Sequence, residues 1–345
     1  MASPKRIIKI AKFGIRVLKG RIFDRPYPFL VQFSVTNRCN LKCNYCYATY
    51  YKRPVEDMPI EDVKKVIDDL AKAGTFRVNL VGGEPLLRND ISEIIGYIRS
   101  KGIECAMTTN GLLVPSKIEA TKGLNSVCFS IDGRQQGNDL NRGTGSYEAV
   151  IRGLEACKDA GIPVQLSAVI TRHTVGDVDF IVELAERYDC LAGFTTLIRQ
   201  RGQENETIIA SPEDTKKALM RIIELKTMGK PVLFSKKAYE YALHWPDYSL
   251  DIMSTCPDGF RPIKCYAGRY FIIIDYNADL YPCPQLVGTF KAGNILKDGF
   301  DKAFKIAANH GCKACSVPCT NEFSMFFGLD PSVLWDQLCN AGKRK

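Results

Sequence analysis

Hydrophobic and polar positions follow two periods along most of this chain. Apolar, β-branched runs near residues 29–35, 78–82, 104–108, 126–131, 164–170 and 191–198 read as strands. Between them, segments near 60–73, 90–101, 146–160 and 176–188 repeat apolar residues every three to four positions, as amphipathic helices do. Asp90 and Ser146 stand where helix N-caps belong, and Gly74, Gly102 and Gly161 where helices stop. Ser211–Pro212 opens a further helix to about Met228. This alternation predicts an α/β fold, a parallel sheet covered by helices.

Two stretches depart from the pattern. A helix is predicted from about Pro4 to Lys19, with Lys5, Lys9, Lys12, Arg16 and Lys19 on one face. Ile7, Ile8, Ala11, Ile15, Leu18 and Ile22 share the other. Such a helix suits a membrane interface; it equally suits packing its apolar face on the protein's own body. Around residue 235 the texture shifts to Cys, Pro, Gly and aromatics, with short strands such as Tyr270–Asp275. Three parts are therefore expected: a basic amphipathic helix over 1–28, a core over 29–235 and a small metal-held domain over 236–345.

Charge sharpens the picture at one end. Of a net charge of +9, residues 1–25 hold eight basic residues against the single acid Asp24, so seven of the nine excess charges sit there. The remainder is nearly neutral, which does not indicate a nucleic-acid partner. No apolar run reaches the roughly 18–20 residues of a membrane span. The basic N-terminus lacks the unbroken apolar stretch of a signal peptide.

Cysteine usage changes the picture most. The 14 cysteines include CxxxCxxC and CxxC clusters, which read as metal or cluster ligands rather than disulfides. Thiolate-bound iron implies a reducing compartment, so a cytoplasmic protein is expected, in peripheral contact with the cytoplasmic membrane face if its first helix is interfacial. Cys39-Asn-Leu-Lys-Cys43-Asn-Tyr45-Cys46 directly follows the first strand. Three thiolates suit one [4Fe–4S] cluster and leave its fourth iron open for chemistry. The spacing alone also suits zinc, or a four-cysteine electron-transfer cluster with a distant ligand.

With Tyr45 ahead of the last cysteine, this motif resembles the signature of the radical S-adenosylmethionine superfamily. The resemblance implies a partial (β/α)6 TIM-like barrel, S-adenosylmethionine chelated by the open iron, and a 5′-deoxyadenosyl radical formed on reduction. Supporting motifs fall at the ends of successive strands, where α/β folds gather their sites. Gly82-Gly83-Glu84-Pro85 resembles the family's GGEP; the glycines allow close backbone approach, and Glu84 suits the methionine ammonium. Thr109 and Asn110 end the third strand, and Ser130 and Asp132 the fourth; both pairs resemble family motifs near the cofactor's ribose and methionine. Arg142 and Ser167 are further candidates for carboxylate and ribose contacts.

Cys256, Cys265, Cys283, Cys312, Cys315, Cys319 and Cys339 form a second constellation. It resembles the SPASM and twitch auxiliary-cluster domains of the superfamily, which hold two clusters and one cluster respectively. One auxiliary [4Fe–4S] cluster would most simply use Cys265, Cys283, Cys312 and Cys315; two would need a non-cysteine ligand or an open site. Ala278 stands where those domains usually carry Gly, with Asn277 available to make the turn. Asp275 and Tyr266 are candidates for a base or hydrogen donor. Cys105, Cys128, Cys157 and Cys190 read as core; the three histidines form no ligand pattern.

The resemblance implies a small-molecule, lipid or peptide substrate and a reducing partner such as flavodoxin or ferredoxin. The basic helix favours a membrane lipid or isoprenoid-like precursor. The alternative is a peptide-modifying maturase, with any leader segment handled by a partner protein. Outside enzymology, an iron–sulfur carrier or scaffold, or a zinc-stabilised binding module, would share the cysteines but not the GGEP turn.

Overall fold

A computed structural model describes residues 4–46, 56–198 and 205–343. Helix α1 (Pro4–Ile22) leads into β1 (Leu30–Thr36). Strand–helix units then follow: α2 (Ile60–Ala73), β2 (Arg77–Gly82), α3 (Ile91–Ser100), β3 (Glu104–Thr109), the single turn α4 (Ile118–Thr121) and β4 (Ser126–Ser130). Helices α5 (Gln135–Arg142) and α6 (Ser146–Asp159), strand β5 (Val164–Ile170), α7 (Val178–Arg187) and β6 (Leu191–Thr196) complete the repeat. Helices α8 (Pro212–Thr227) and α9 (Lys236–Leu243) lead into the cysteine-rich part.

Strands β1 to β6 pair in sequence order, all parallel, as the six-stranded partial barrel requires. Alternation along each strand sorts side chains into two faces. Val31, Phe33, Val78, Leu80, Val127, Phe129, Leu166 and Ala168 point to the helices and are buried with Val63, Ile67, Leu70, Ile94 and Leu154. The other face, carrying Gln32, Asn79, Thr108, Cys128, Gln165 and Ser167, is half-buried and lines the lumen. Cys105, Cys157 and Cys190 are core as expected. Cys128 is not, because Val127 and Phe129 take the core side of β4 and turn its thiol inward toward Thr108.

Ser235 caps α9 through its side chain, and the sheet continues past it. Strand β8 (Phe271–Ile274) pairs parallel to β1, with Leu30 opposite Phe271. Strands β9 (Asp279–Tyr281) and β10 (Gly293–Asn294) extend that edge antiparallel. Short strands β7 (Ile252–Met253) and β11 (Ala314–Cys315) pair separately, and helices α10 (Ile295–Asp298), α11 (Phe300–Ala308), α12 (Pro318–Phe327) and α13 (Pro331–Lys343) complete the chain.

Helix α1 starts where expected and runs three residues past the expected end, to Ile22, but docks by an unexpected face. Phe13 and Val17 pack against Phe29, Phe76 and Phe327, while Ile15, Leu18 and Ile22 stay exposed. Aromatic burial outweighs the aliphatic stripe, since each large ring removes more apolar area from water. Among the described residues no helix is long and apolar enough to cross a membrane.

Candidate active site

The first cysteine loop leaves the C-terminal end of β1 and is fastened from three sides. Beneath it lies the Gly82–Pro85 turn: the Gly83 amide donates to the Thr36 carbonyl at 3.0 Å and the Glu84 amide to Arg38 at 2.8 Å. Gly82 has φ +133°, and a Cβ there would stand 2.4 Å from the Thr36 oxygen; at Gly83 it would stand 2.0 Å from the Arg38 oxygen. Both contacts are far inside van der Waals range, so what these glycines admit is the cysteine loop itself.

Glu84 is fully buried and forms the second fastening. Its carboxylate accepts from the Leu86 amide (3.2 Å), the Asn110 amide (2.9 Å) and the Thr109 hydroxyl (2.9 Å). Burial pushes its pKa up to about 7, with these hydrogen bonds acting the other way. Asn110 in turn donates to Asn40, inside the cysteine loop, at 2.7 Å.

Helix α5 and the end of β4 supply the third. The Asn44 amide donates to the Asn141 carbonyl at 2.9 Å, and the Asn44 side chain to Leu140 at 2.8 Å. Tyr45 donates to Asp132 at 2.5 Å. The buried Asp132 carboxylate also accepts from Arg142 (2.8 and 3.0 Å), Asn141 (3.2 Å) and the Val169 amide (3.0 Å). The Arg142 guanidinium lies 5.3 Å from the Tyr45 ring centroid, so charge pairing and cation–π contact act together. Ser130 and Ser167 are register partners on the lumen face of β4 and β5.

The thiols themselves are close neighbours. Burial pushes Cys39 up to about 12, and the neighbouring Cys43, Glu84 and Cys46 add to the rise. Burial also raises Cys43, with Cys46 contributing and Arg142 opposing. The Leu41 amide points at the Cys39 sulfur, 3.5 Å away. Three soft donors on one loop, of which Cys39 and Cys43 are penalised as bare thiolates by their burial, fit an iron–sulfur cluster whose positive irons remove that penalty. Among the described residues no three His, Cys, Asp or Glu side chains converge as ligands of a single metal ion.

The second constellation is divided. Cys265, Cys283, Cys312 and Cys315 are neighbours: burial holds Cys315 well above the usual thiol range, and Cys265, Cys283 and Cys312 add to the effect. Cys256 stands at the edge of this group, near Cys312. Cys319 lies on α12 with Thr320 and near Tyr239, and Cys339 is exposed on α13. The group adjoins the start of β8 and the end of β9, whereas the Cys39 loop follows the far end of β1. The two cysteine sets therefore occupy opposite ends of the lumen.

Asp275 is buried at the end of β8, beside the end of β1. Tyr266 instead bonds Arg21 of α1 and stacks on Tyr270, away from the Cys39 loop. Ala278, the residue in the usual glycine position, has φ +67°. Asn277 helps form the turn by accepting from Asp279, but the left-handed residue is Ala278, and its buried methyl offsets that strain.

Sequence reasoning missed Asn40, Asn141, Arg38 and Asp57. Thr36 donates to Asp57 at 2.5 Å and Arg38 pairs with it. Asn40 lay in plain view within the cysteine motif; α5 carried no apolar period to reveal Asn141.

A parallel partial barrel with a three-cysteine loop at its mouth, braced by a buried glutamate, defines an iron–sulfur enzyme that uses S-adenosylmethionine. The chain belongs to the radical SAM superfamily, which residues 33–187 match. It is 30% identical over 287 residues to the mycofactocin maturase MftC of Mycobacterium ulcerans, covering 81% of this chain and 75% of that protein. It is 27% identical over 292 residues to the AdoMet-dependent heme synthase of Methanosarcina barkeri, covering 81% of this chain and 83% of the other. In fold it is similar to Streptococcus suis SuiB bound to S-adenosylmethionine, with a TM-score of 0.66 at 15% identity over 90% of this chain and 72% of SuiB. SuiB is also known bound to its precursor peptide SuiA, and that structure matches with a TM-score of 0.64 at 15% identity over 90% of this chain and 71% of SuiB.

Proposed function

We propose that this radical SAM enzyme modifies a polypeptide held in the lumen of the partial barrel. The lumen wall carries the reading. Gln32, Asn79, Thr108, Gln165 and Ser167 are half-buried on the strand face opposite the core and offer uncharged amide and hydroxyl groups. Asn79 donates to Thr108 at 3.0 Å, which fixes the pair's orientation. Such groups donate and accept together, as a peptide backbone does.

The maturase name of MftC and the peptide bound to SuiB support the same reading. A lipid or isoprenoid-like substrate, suggested by the basic helix, has no counterpart in these relatives. A second reading, modification of a porphyrin, is favoured by the long match to the heme synthase.

When bound, the [4Fe–4S] cluster and S-adenosylmethionine supply hydrogen-atom abstraction through a 5′-deoxyadenosyl radical. Cys39, Cys43 and Cys46 would hold that cluster. Glu84 offers a carboxylate to the methionine ammonium. Gly82, Gly83, Pro85, Thr109, Asn110, Ser130, Asp132, Arg142 and Ser167 shape the surrounding mouth. Cys265, Cys283, Cys312 and Cys315, gathered beside the start of β8, would hold one auxiliary cluster. Asp275, buried at the end of β8 beside the end of β1, would serve as a proton acceptor at this end of the lumen. Flavodoxin or ferredoxin would reduce the catalytic cluster.

The test is anaerobic incubation of reconstituted protein with S-adenosylmethionine, dithionite and short peptides encoded beside its gene, followed by mass spectrometry. A peptide mass change with 5′-deoxyadenosine release, absent in Cys39→Ala, is the expected result. Turnover of an iron porphyrin with every peptide unchanged would favour the second reading and overturn the first.

A further inference from the structure

Helix α1 buries one face and presents another. Phe13 meets the rings of Phe76 and Phe29 at 4.5 and 5.1 Å between centroids, and Val17 is buried beside it. Gly20 lies on the same side, where an added Cβ would stand 3.0 Å from the Tyr270 hydroxyl. On the opposite side Ile15, Leu18 and Ile22 follow at helical spacing and are 54, 49 and 73% exposed; Phe23, just beyond, is 66% exposed. A contiguous apolar stripe that no described residue covers marks an interaction surface.

Cations flank this stripe. Lys12, Arg16 and Lys19 are exposed and, with Lys101, line a groove of about 550 Å³ between α1 and the C-terminal ends of α2 and α3. Arg16 donates to the Gly74 carbonyl at 3.3 Å, and Lys101 pairs with Asp68 at 2.6 Å. Lys12 and Lys19 make no ion pair among the described residues. The wider segment, residues 1–25, holds seven of the chain's nine excess positive charges.

We propose that α1 docks the enzyme on an anionic lipid bilayer. Ile15, Leu18, Ile22 and Phe23 enter the headgroup boundary, and Lys12, Arg16 and Lys19 meet lipid phosphates. Charge complementarity selects an anionic surface, and the apolar stripe selects a bilayer over nucleic acid, which would leave those side chains in water. The orientation follows from the fold. Helix α1 lies at the N-terminal end of β1 and the Cys39 loop at its C-terminal end, about 20 Å away along seven residues of strand. The catalytic mouth then faces away from the lipid, so α1 is an anchor and no lipid need be the substrate.

Co-sedimentation of the reconstituted holoenzyme with vesicles tests this. Wild type is expected to pellet with phosphatidylcholine–phosphatidylglycerol vesicles, to stay soluble with phosphatidylcholine alone, and to be released by high salt. The double variant Ile15→Asp/Leu18→Asp is expected to stay soluble with both. Lys12→Ala/Lys19→Ala, which leaves the apolar stripe intact, is expected to weaken binding about thirtyfold. Iron content equal to wild type verifies that each variant is folded. Wild type left in the supernatant with anionic vesicles, or unaltered pelleting of both variants, overturns the proposal.

Discussion

Tyr45, inside the cysteine loop, donates a 2.5 Å hydrogen bond to Asp132 at the end of β4. The same carboxylate pairs with Arg142, and both partners are buried, with side chains 0 and 9% exposed. Removing Asp132 strands a buried guanidinium, whereas removing the tyrosine hydroxyl leaves the ion pair intact. Asp132→Asn should therefore cost about 3–5 kcal/mol and Tyr45→Phe about 1 kcal/mol. Chemical denaturation of the iron-loaded protein measures the difference. Equal costs would mean that Asp132 is not the hub of this end of the barrel.

Gly83→Ala tests the seat of the cysteine loop. The new Cβ would stand 2.0 Å from the Arg38 oxygen and 3.0 Å from the Cys39 nitrogen, both backbone atoms with little room to move. The loop must shift, and the expected result is loss of the first cluster with the auxiliary cluster kept. Iron should fall from about eight to about four per chain, and 5′-deoxyadenosine formation should cease. Full iron with normal cleavage would show that the loop does not depend on this contact.

The auxiliary cysteines make a separable prediction. Cys283→Ala and Cys315→Ala, within the gathered group, should each deplete auxiliary iron, while Cys319→Ala and Cys339→Ala should not. Iron analysis beside Mössbauer spectra of the four variants decides it. Depletion in Cys339→Ala would mean that the group is larger than four ligands.

Asp330 offers a pH-dependent test remote from iron. It caps α13, accepting from the Ser332 amide at 3.1 Å and the Val333 amide at 3.4 Å, and it pairs with Lys237 of α9. Burial raises its pKa, but the bonds from Lys237, Ser332 and Val333 outweigh that and leave it below the ordinary value of 3.8. A depressed carboxyl stabilises the fold above that value, and the stabilisation is lost as pH falls through the folded pKa. Asp330→Asn keeps a capping oxygen but loses the pair with Lys237, so it should cost about 0.5 kcal/mol at neutral pH, and the gap should close in acid. Hydrogen exchange along α13 at two pH values reads this locally.

Much of the fold was legible because its signals are local. The six strands β1–β6 announce themselves by β-branched runs, and α2 begins and ends where its apolar period does. Helix α5 was not legible, because its buried residues include Asn138, Asn141 and Arg142, which serve as hydrogen-bond partners rather than as an apolar face. The docking face of α1 was hidden for the opposite reason: the aliphatic stripe is the more regular signal, but Phe13 found the aromatic partners. The pairing of β8 with β1 is also absent from any local pattern, since it joins residues from opposite ends of the chain. At the site, the motifs named Glu84, Thr109, Asn110, Asp132 and Arg142, and the fold brings these residues to the end of the barrel that carries the Cys39 loop. Their mutual bracing, Thr109 to Glu84 and Asn110 to Asn40, joins residues 25 and 70 positions apart and so leaves no local pattern.

That distant pairing governs the order in which the protein can be made. As the chain emerges from the ribosome, β1 gains its first neighbour, β2, early, but its other edge stays bare until β8 is synthesised near the end. A bare parallel edge invites mispairing with other nascent chains. The strand that leads into the Cys39 loop is thus the last of the six to be enclosed. Iron delivered before β8 docks would meet a loop still rooted on a half-formed sheet, so cluster assembly is best timed to follow the final third of translation.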